Sequence, residues 1–277
     1  MAEMKQRIKE YLREDVGSGD ITSALVIPSD AKAHGMIICK EACILAGGDE
    51  AAEVFRTLGA RVLRRRRDGS TARTGDIVLE VQGSARALLA GERLALNMLM
   101  RMSGIATITR TLVAKCRRAN PKAKVAATRK TTPGFREFEK RAVVLGGGIP
   151  HRSGLFDAIL IKNNHIRIAG GVREALARAR RGARGKSIEI EVETLEQGRV
   201  AVEEGADVIM LDNFTPARAA KASAELRRIK PSIIIEISGG ITPENIGRYA
   251  RFADIISLGR LTYSVKAIDF SMRIEKA

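Results

Sequence analysis

Between Val125 and Gly259 six short aliphatic runs each end in a polar residue or a glycine, and a helix-forming segment follows each one. The runs are Val125 to Thr128 into Arg129 and Lys130, Ala158 to Ile161 into Lys162, Ile188 to Val192 carrying Glu191, Val208 to Leu211 into Asp212, Ile233 to Ile237 into Ser238-Gly239-Gly240, and Ile255 to Leu258 into Gly259. Apolar runs of this length, spaced about 20 to 30 residues apart, predict buried parallel strands in β-α units. Parallel strands joined by helices bring their C-terminal ends to one rim of a barrel or open sheet, and such folds hold ligands there. That rim then carries Arg, Lys, Lys, Glu, Asp and a Ser-Gly-Gly turn, which suits a highly anionic substrate with a metal ion. Six strands are fewer than the eight of a complete α/β barrel. The pattern therefore predicts a barrel with one weak strand hidden in it, or an incomplete barrel.

The first hundred residues read differently. Met4, Ile8, Tyr11 and Leu12 share one stripe of a short helix that stops at Val16-Gly17. From Ala33 to Gln82, short strands with glycine turns surround a helix from Asp49 to Leu58, which predicts an α+β region with an antiparallel sheet. A long helix-forming stretch follows from Ser84 to Asn120, with an expected break at Ser103-Gly104. The boundaries expected from these features are 1–104 for the first domain, 105–265 for the second, and 266–277 for a terminal helix returning to the first.

Composition excludes some classes and leaves others open. No apolar stretch approaches the roughly 18 residues of a membrane-spanning helix, and the N-terminus has no apolar signal region, so a cytoplasmic location is expected and no membrane partner. Cys39, Cys43 and Cys116 are odd in number and lack CxxC spacing, which predicts buried thiols and neither a disulfide framework nor a zinc site. A formal net charge of +16 over 277 residues invites a nucleic-acid reading. The basic residues are scattered, however, aromatics make up only 4% and there is no Trp for base stacking. The one cluster, Arg64 to Arg67, reads as the solvated end of a strand before Asp68-Gly69. No nucleic-acid partner is expected.

Ser187 to Glu193 places Glu189, Glu191 and Glu193 on one face of a strand and three aliphatics on the other. Three carboxylates in an enclosed strand are costly without cations. Glu191 and Asp212, on neighbouring strand ends, suit a hydrated magnesium ion shared with a phosphate, or positive charge developing on a sugar. Arg129, Lys130, Lys162 and the pair His151-Arg152 supply cations to the same rim. His151 and Arg152 sit in Gly146 to Phe156, an eleven-residue connection where two to six residues are usual. The Ser238-Gly239-Gly240 turn, read as opening a helix at Thr242-Pro243, and Ser257-Leu258-Gly259 beside it predict an anion pocket for a terminal phosphate.

At this point the ordered motifs Thr128-Arg129-Lys130-Thr131-Thr132-Pro133-Gly134, Glu139-Lys140-Arg141, Gly146-Gly147-Gly148 with His151-Arg152, Leu160 to His165 and Leu211-Asp212-Asn213-Phe214 closely resemble the quinolinate phosphoribosyltransferase family. Glu14 to Thr22 and Gly91 to Asn97 match too, so the resemblance spans essentially the whole chain. It implies an N-terminal α/β sandwich and an incomplete α/β barrel. It also implies an enzyme that joins quinolinate to phosphoribosyl pyrophosphate, releasing carbon dioxide and pyrophosphate, with magnesium as cofactor. The same resemblance implies a homodimer in which Arg93 reaches the partner's site. Thr128, Arg129, Lys130, His151, Arg152 and Lys162 would hold the dicarboxylate and neighbouring phosphates. Glu191 and Asp212 would serve the ribose and magnesium, directly or through water, and Ser238, Gly239, Gly240, Ser257, Leu258 and Gly259 would take the 5-phosphate. Lys130, Lys162, Glu191 and Asp212 would carry catalysis. Three residues depart from the family pattern: Asn163 stands in place of Asp, Tyr263 in place of His, and Pro150 in place of Asn. They motivate a second reading, a nicotinate-using or divergent phosphoribosyltransferase of the same fold.

Overall fold

The computed structural model describes residues 2–277. In chain order the elements are α1 (Ala2–Val16), α2 (Ile21–Val26), β1 (Lys32–Cys39), β2 (Cys43–Ile44), α3 (Gly48–Thr57), β3 (Arg61–Arg65), β4 (Thr71–Ala72), β5 (Ile77–Ser84) and α4 (Ala85–Ala119). There follow β6 (Lys124–Ala126), α5 (Arg136–Leu145), β7 (Ile159–Ile161), α6 (Asn163–Ala169), α7 (Val172–Gly182), β8 (Ile188–Val192) and α8 (Leu195–Glu203). The chain ends with β9 (Val208–Asp212), α9 (Pro216–Ile229), β10 (Ile234–Ser238), α10 (Ile246–Ala250), β11 (Ile255–Ser257), α11 (Arg260–Tyr263) and β12 (Phe270–Lys276). It divides into two compact units: residues up to Ile108 with 144–146 and 265–277, and residues 109–143 with 147–264.

The first unit is built on an antiparallel sheet of order β12-β1-β5-β3. β1 alternates buried Ala33, Gly35, Ile37 and Cys39 with half-buried residues, the period expected of a strand with one face on a core. α1 contributes Ile8 and Leu12 to that core. Arg64, Arg65 and Arg66 lie at the end of β3 and pair with Glu80, Asp49 and Asp76, as a solvated strand end should. All three cysteines are free and buried.

Two local expectations are corrected here. The tail 266–277 contains no helix; Phe270–Lys276 is a strand paired antiparallel with β1, Phe270 opposite Cys39 and Met272 opposite Ile37. Phe270, Met272 and Ile274 alternate with Ser271, Arg273 and Glu275, a two-residue period that the free edge of β1 selects over a helical one. The expected break at Ser103-Gly104 is also absent, because α4 runs unbroken for 35 residues. Gly104 serves close approach: a Cβ there would lie 2.4 Å from the carbonyl oxygen of Lys266.

The second unit is a six-stranded parallel sheet of order β6-β11-β10-β9-β8-β7, interleaved with helices, an α/β fold with an incomplete barrel. The long connection supplies a fragment of the missing closure. Ile149 makes a parallel bridge to Ala126, donating to Val125 O at 2.8 Å and accepting from Ala127 N at 3.0 Å. Helix starts follow the capping residues at two positions: Thr194 accepts from Gln197 N, and Thr215, with Pro216 next, accepts from Arg218 N. Thr242 does not open a helix; α10 begins only at Ile246 and is five residues long. Thr242 and Asn245 instead bond each other's turn, through Thr242 N to Asn245 Oδ1 and Glu244 N to Thr242 Oγ1.

Candidate active site

Register places the strand ends level. Ser238 on β10 pairs with Asp212 on β9 and with Ser257 on β11, which pairs with Ala126 on β6. A cavity of about 600 Å³ opens over these ends, lined by residues in, or immediately after, each strand of the sheet.

One wall is cationic. Arg129 and Lys130 follow β6, His151 and Arg152 come from the long connection, and Lys162 follows β7; all line the cavity. Arg129 Nε is shut off from water and has no hydrogen-bond partner. Arg152 is only 9% exposed, and burial together with the Arg129 charge holds its guanidinium below its ordinary value. Two guanidiniums that repel each other beside an unpaired donor are stabilised by an anion bound between them. Lys130 lies 5.9 Å from the centre of the Tyr263 ring, a cation–π contact made by one of the residues that departs from the family pattern.

The opposite wall is acidic. Lys162 Nζ donates to Glu191 Oε2 at 2.5 Å, and Asn163, another departure, donates to Glu193 Oε1 at 2.8 Å. The Lys162 backbone amide donates to His165 Nδ1. Lys162 is therefore oriented by Glu191, with no need of an acid at position 163. Burial and the charge of Glu191 push the Asp212 carboxyl above its usual range.

At the floor, His151 Nε2 lies 3.1 Å from Glu236 Oε2 and 3.4 Å from Glu189 Oε2. Burial lowers the His151 pKa and the hydrogen bonds and charges of these glutamates raise it, but the amide N–H aimed at Nδ1 opposes a second proton, so the ring is held neutral. The Arg152 amide donates to Nδ1 at 2.8 Å, so the proton held against the carboxylates sits on Nε2.

The turn expected to take an anion is shaped by its backbone. Gly239 and Gly240 have φ of +84° and +62°, and a Cβ on Gly239 would lie 2.2 Å from Asn213 Oδ1. Asn213 N donates to Ser238 O at 2.9 Å, tying the ends of β9 and β10. With α10 starting only at Ile246, the helix N-terminus expected at Thr242-Pro243 is not there. Gly259 lies against Lys130, where a Cβ would come within 2.7 Å of the lysine Cδ.

Thus Thr128, Arg129, Lys130, His151, Arg152, Lys162, Glu191, Asp212, Ser238, Gly239, Gly240, Ser257, Leu258 and Gly259 share one cavity. Arg93 does not line it; it is exposed on α4 in the first unit. Glu189 and Glu236 were not among the candidate residues. Glu236 lies inside the aliphatic run Ile233 to Ile237, where a single buried acid was itself a signal.

The model of the quinolinate phosphoribosyl transferase C-terminal domain matches residues 105–273, and that of the N-terminal domain matches residues 20–103. The chain is 46% identical over 259 residues to the probable nicotinate-nucleotide pyrophosphorylase (carboxylating) of Archaeoglobus fulgidus, covering 92% of this chain and 98% of that protein. It is 36% identical over 269 residues to the human nicotinate-nucleotide pyrophosphorylase (carboxylating), covering 96% of this chain and 90% of the human one. The crystal structure of NadC from Streptococcus pyogenes superposes with a TM-score of 0.92 at 39% identity, covering 100% of this chain and 98% of that one.

Proposed function

The chain belongs to the quinolinate phosphoribosyltransferase family, and we infer that it converts quinolinate and phosphoribosyl pyrophosphate to nicotinate mononucleotide, pyrophosphate and carbon dioxide in NAD biosynthesis. The observation that carries this reading is the placing of Arg152 near Arg129, whose buried Nε is unsatisfied, at a cavity wall that also holds Lys130, His151 and Lys162. A planar dicarboxylate with a neighbouring polyphosphate answers that concentration of donors. The guanidinium forks of Arg129 and Arg152 grip the carboxylates and fix the ring. Lys130, anchored over Tyr263, supports the leaving pyrophosphate. Glu191 and Asp212 face the ribose, where their charge offsets the oxocarbenium-like character that grows as the bond to pyrophosphate lengthens. The pyridine nitrogen then attacks the anomeric carbon. The positive ring nitrogen then stabilises the electron pair left on the adjacent carbon when its carboxylate departs as carbon dioxide, and that carbon takes up a proton from water to give nicotinate mononucleotide. No enzyme nucleophile is required, and the protein contributes position and field.

Glu191 and Asp212 also fit a magnesium ion. They are two oxygen donors on neighbouring strands, and burial together with the Glu191 charge raises the Asp212 carboxyl, so a further cation is accommodated. Glu191 and Asp212 would hold the ion directly or through water, and it would supply positive charge to the leaving pyrophosphate. The assembly we propose is a homodimer in a cytoplasmic setting, with Arg93 of each chain serving its partner's cavity. Among the described residues no helix is long and apolar enough to cross a membrane. Purified protein given both substrates and magnesium releases carbon dioxide stoichiometrically with pyrophosphate; pyrophosphate release with nicotinate and none with quinolinate would overturn the reading.

A further inference from the structure

The connection from Gly146 to Ala158 that carries His151 and Arg152 is long for the ordered conformation it holds, and the side chains that hold it come from three buried positions. Glu236 is 0% exposed and Glu189 7%. Burying two carboxylates side by side is costly, and an aliphatic pair would pack the barrel interior more cheaply. Both point an oxygen at His151 Nε2, and Ser257 Oγ donates to the other oxygen of Glu236. His151 adopts φ +51°, a left-handed backbone that a histidine adopts only when its surroundings hold it there. From the other side Lys140, 4% exposed on α5, donates to Pro150 O. Next to it Glu139 accepts from Thr132 N at 3.1 Å and Thr132 Oγ1 at 3.0 Å, fixing the loop that carries Arg129 and Lys130.

A metal ion is a rival explanation, since the ligand atoms of His151, Glu189 and Glu236 lie within 4.8 Å of one another. The Arg152 amide rules against it. With Nδ1 accepting that N–H, the imidazole proton is on Nε2, which then has no lone pair to give a metal.

We propose that Glu189, Glu236 and Lys140 are positioning residues that clamp Pro150, His151 and Arg152 from two sides, so that the arginine fork is pre-set for the dicarboxylate. The proposal rests on the assignment of that dicarboxylate to the cationic wall. It gives the buried glutamates of β8 and β10 and the Glu139-Lys140 motif a role in substrate affinity without contact with the substrate.

The test compares Glu236→Ala, Glu236→Gln and Lys140→Met with the wild type. A glutamine can accept from His151 Nε2–H through its carbonyl and donate to Ser257 Oγ through its amide, so it rebuilds the clamp; alanine cannot. Glu236→Ala raises KM for quinolinate about ten- to a hundredfold, the loss expected for a charge-assisted hydrogen bond, while KM for phosphoribosyl pyrophosphate holds. Lys140→Met moves in the same direction, and Glu236→Gln recovers most of the loss. Quinolinate affinity measured by calorimetry follows KM. If Glu236→Ala fails to fold, the Lys140→Met and Glu236→Gln values still decide. An equal change in both KM values, a fall in kcat alone, or a Gln variant as impaired as Ala overturns the proposal. A wild type that binds quinolinate but releases no carbon dioxide would contradict the reaction and leave the calorimetric test of the clamp standing.

Discussion

Replacing Lys162 by Met keeps the side chain to within one atom of its length and removes its charge. Its ammonium lies 2.5 Å from Glu191 Oε2, with the two side chains 45% and 12% exposed. The change has two consequences of the same sign. The cavity loses a cation that an anionic substrate would meet, and Glu191 is left uncompensated beside Asp212, whose carboxyl burial and the Glu191 charge already raise. Unit charges about 4 Å apart interact by about 1 kcal/mol in water and about 4 kcal/mol at an effective dielectric of 20, and the half-exposed lysine lies between these limits. The expected loss in kcat/KM is therefore about fivefold to a thousandfold. The fold should hardly notice, because an ion pair this exposed contributes about 0–1 kcal/mol. The assay is carbon dioxide release under subsaturating substrate, paired with a thermal melt. Lys162→Met with wild-type kcat/KM, or one whose loss is matched by unfolding at the assay temperature, refutes the reasoning.

Gly239→Ala forces a residue with φ +84° to carry a Cβ that meets Asn213 Oδ1 at 2.2 Å, so its urea midpoint falls by the equivalent of about 1–3 kcal/mol. At Gly240 nothing lies within 4 Å of the added carbon, and Ala there costs less. Burial pulls the Lys140 pKa down to about 8. Its unfolded form therefore binds the extra proton between about pH 8 and 10.5, stability rises across that window by up to about 3 kcal/mol, and Lys140→Met flattens the rise in urea titrations. Stripping divalent ions with a chelator abolishes activity and magnesium restores it; full activity in chelator would remove the metal from the account. Arg93→Ala alone is inactive, and mixing it with Arg129→Ala after subunit exchange restores activity if each site takes Arg93 from its neighbour.

Much of the site was legible because parallel strands are unambiguous in sequence. Their aliphatic runs end where the register ends, and the residues next in line, Lys162, Asp212, Ser238 and Gly259, line the cavity. The stripe of Glu189, Glu191 and Glu193 announced that cations must face it; Glu191 meets Lys162, while Glu189 and Glu193 meet the hydrogen-bond donors His151 and Asn163. What escaped depended on long-range pairing. The tail became β12 because the edge of β1 was there to receive it, while Gly104, a local helix breaker, stays helical under the backbone of Lys266. The late start of α10 was hidden by Thr242-Pro243, a plausible helix opening that forms a turn instead. Glu236 hid in an aliphatic run, and its meaning required knowing that a residue 85 positions away returns to meet it.

The central claim is that the cationic wall holds a dicarboxylate and commits it to decarboxylation during phosphoribosyl transfer. Quinolinate labelled in its 2-carboxylate carbon, incubated with phosphoribosyl pyrophosphate and magnesium, tests this most directly. The account predicts label appearing as carbon dioxide in step with nicotinate mononucleotide, and little product from nicotinate, which lacks one partner for Arg129 and Arg152. Label retained in the nucleotide, or nicotinate consumed as readily as quinolinate, would contradict it.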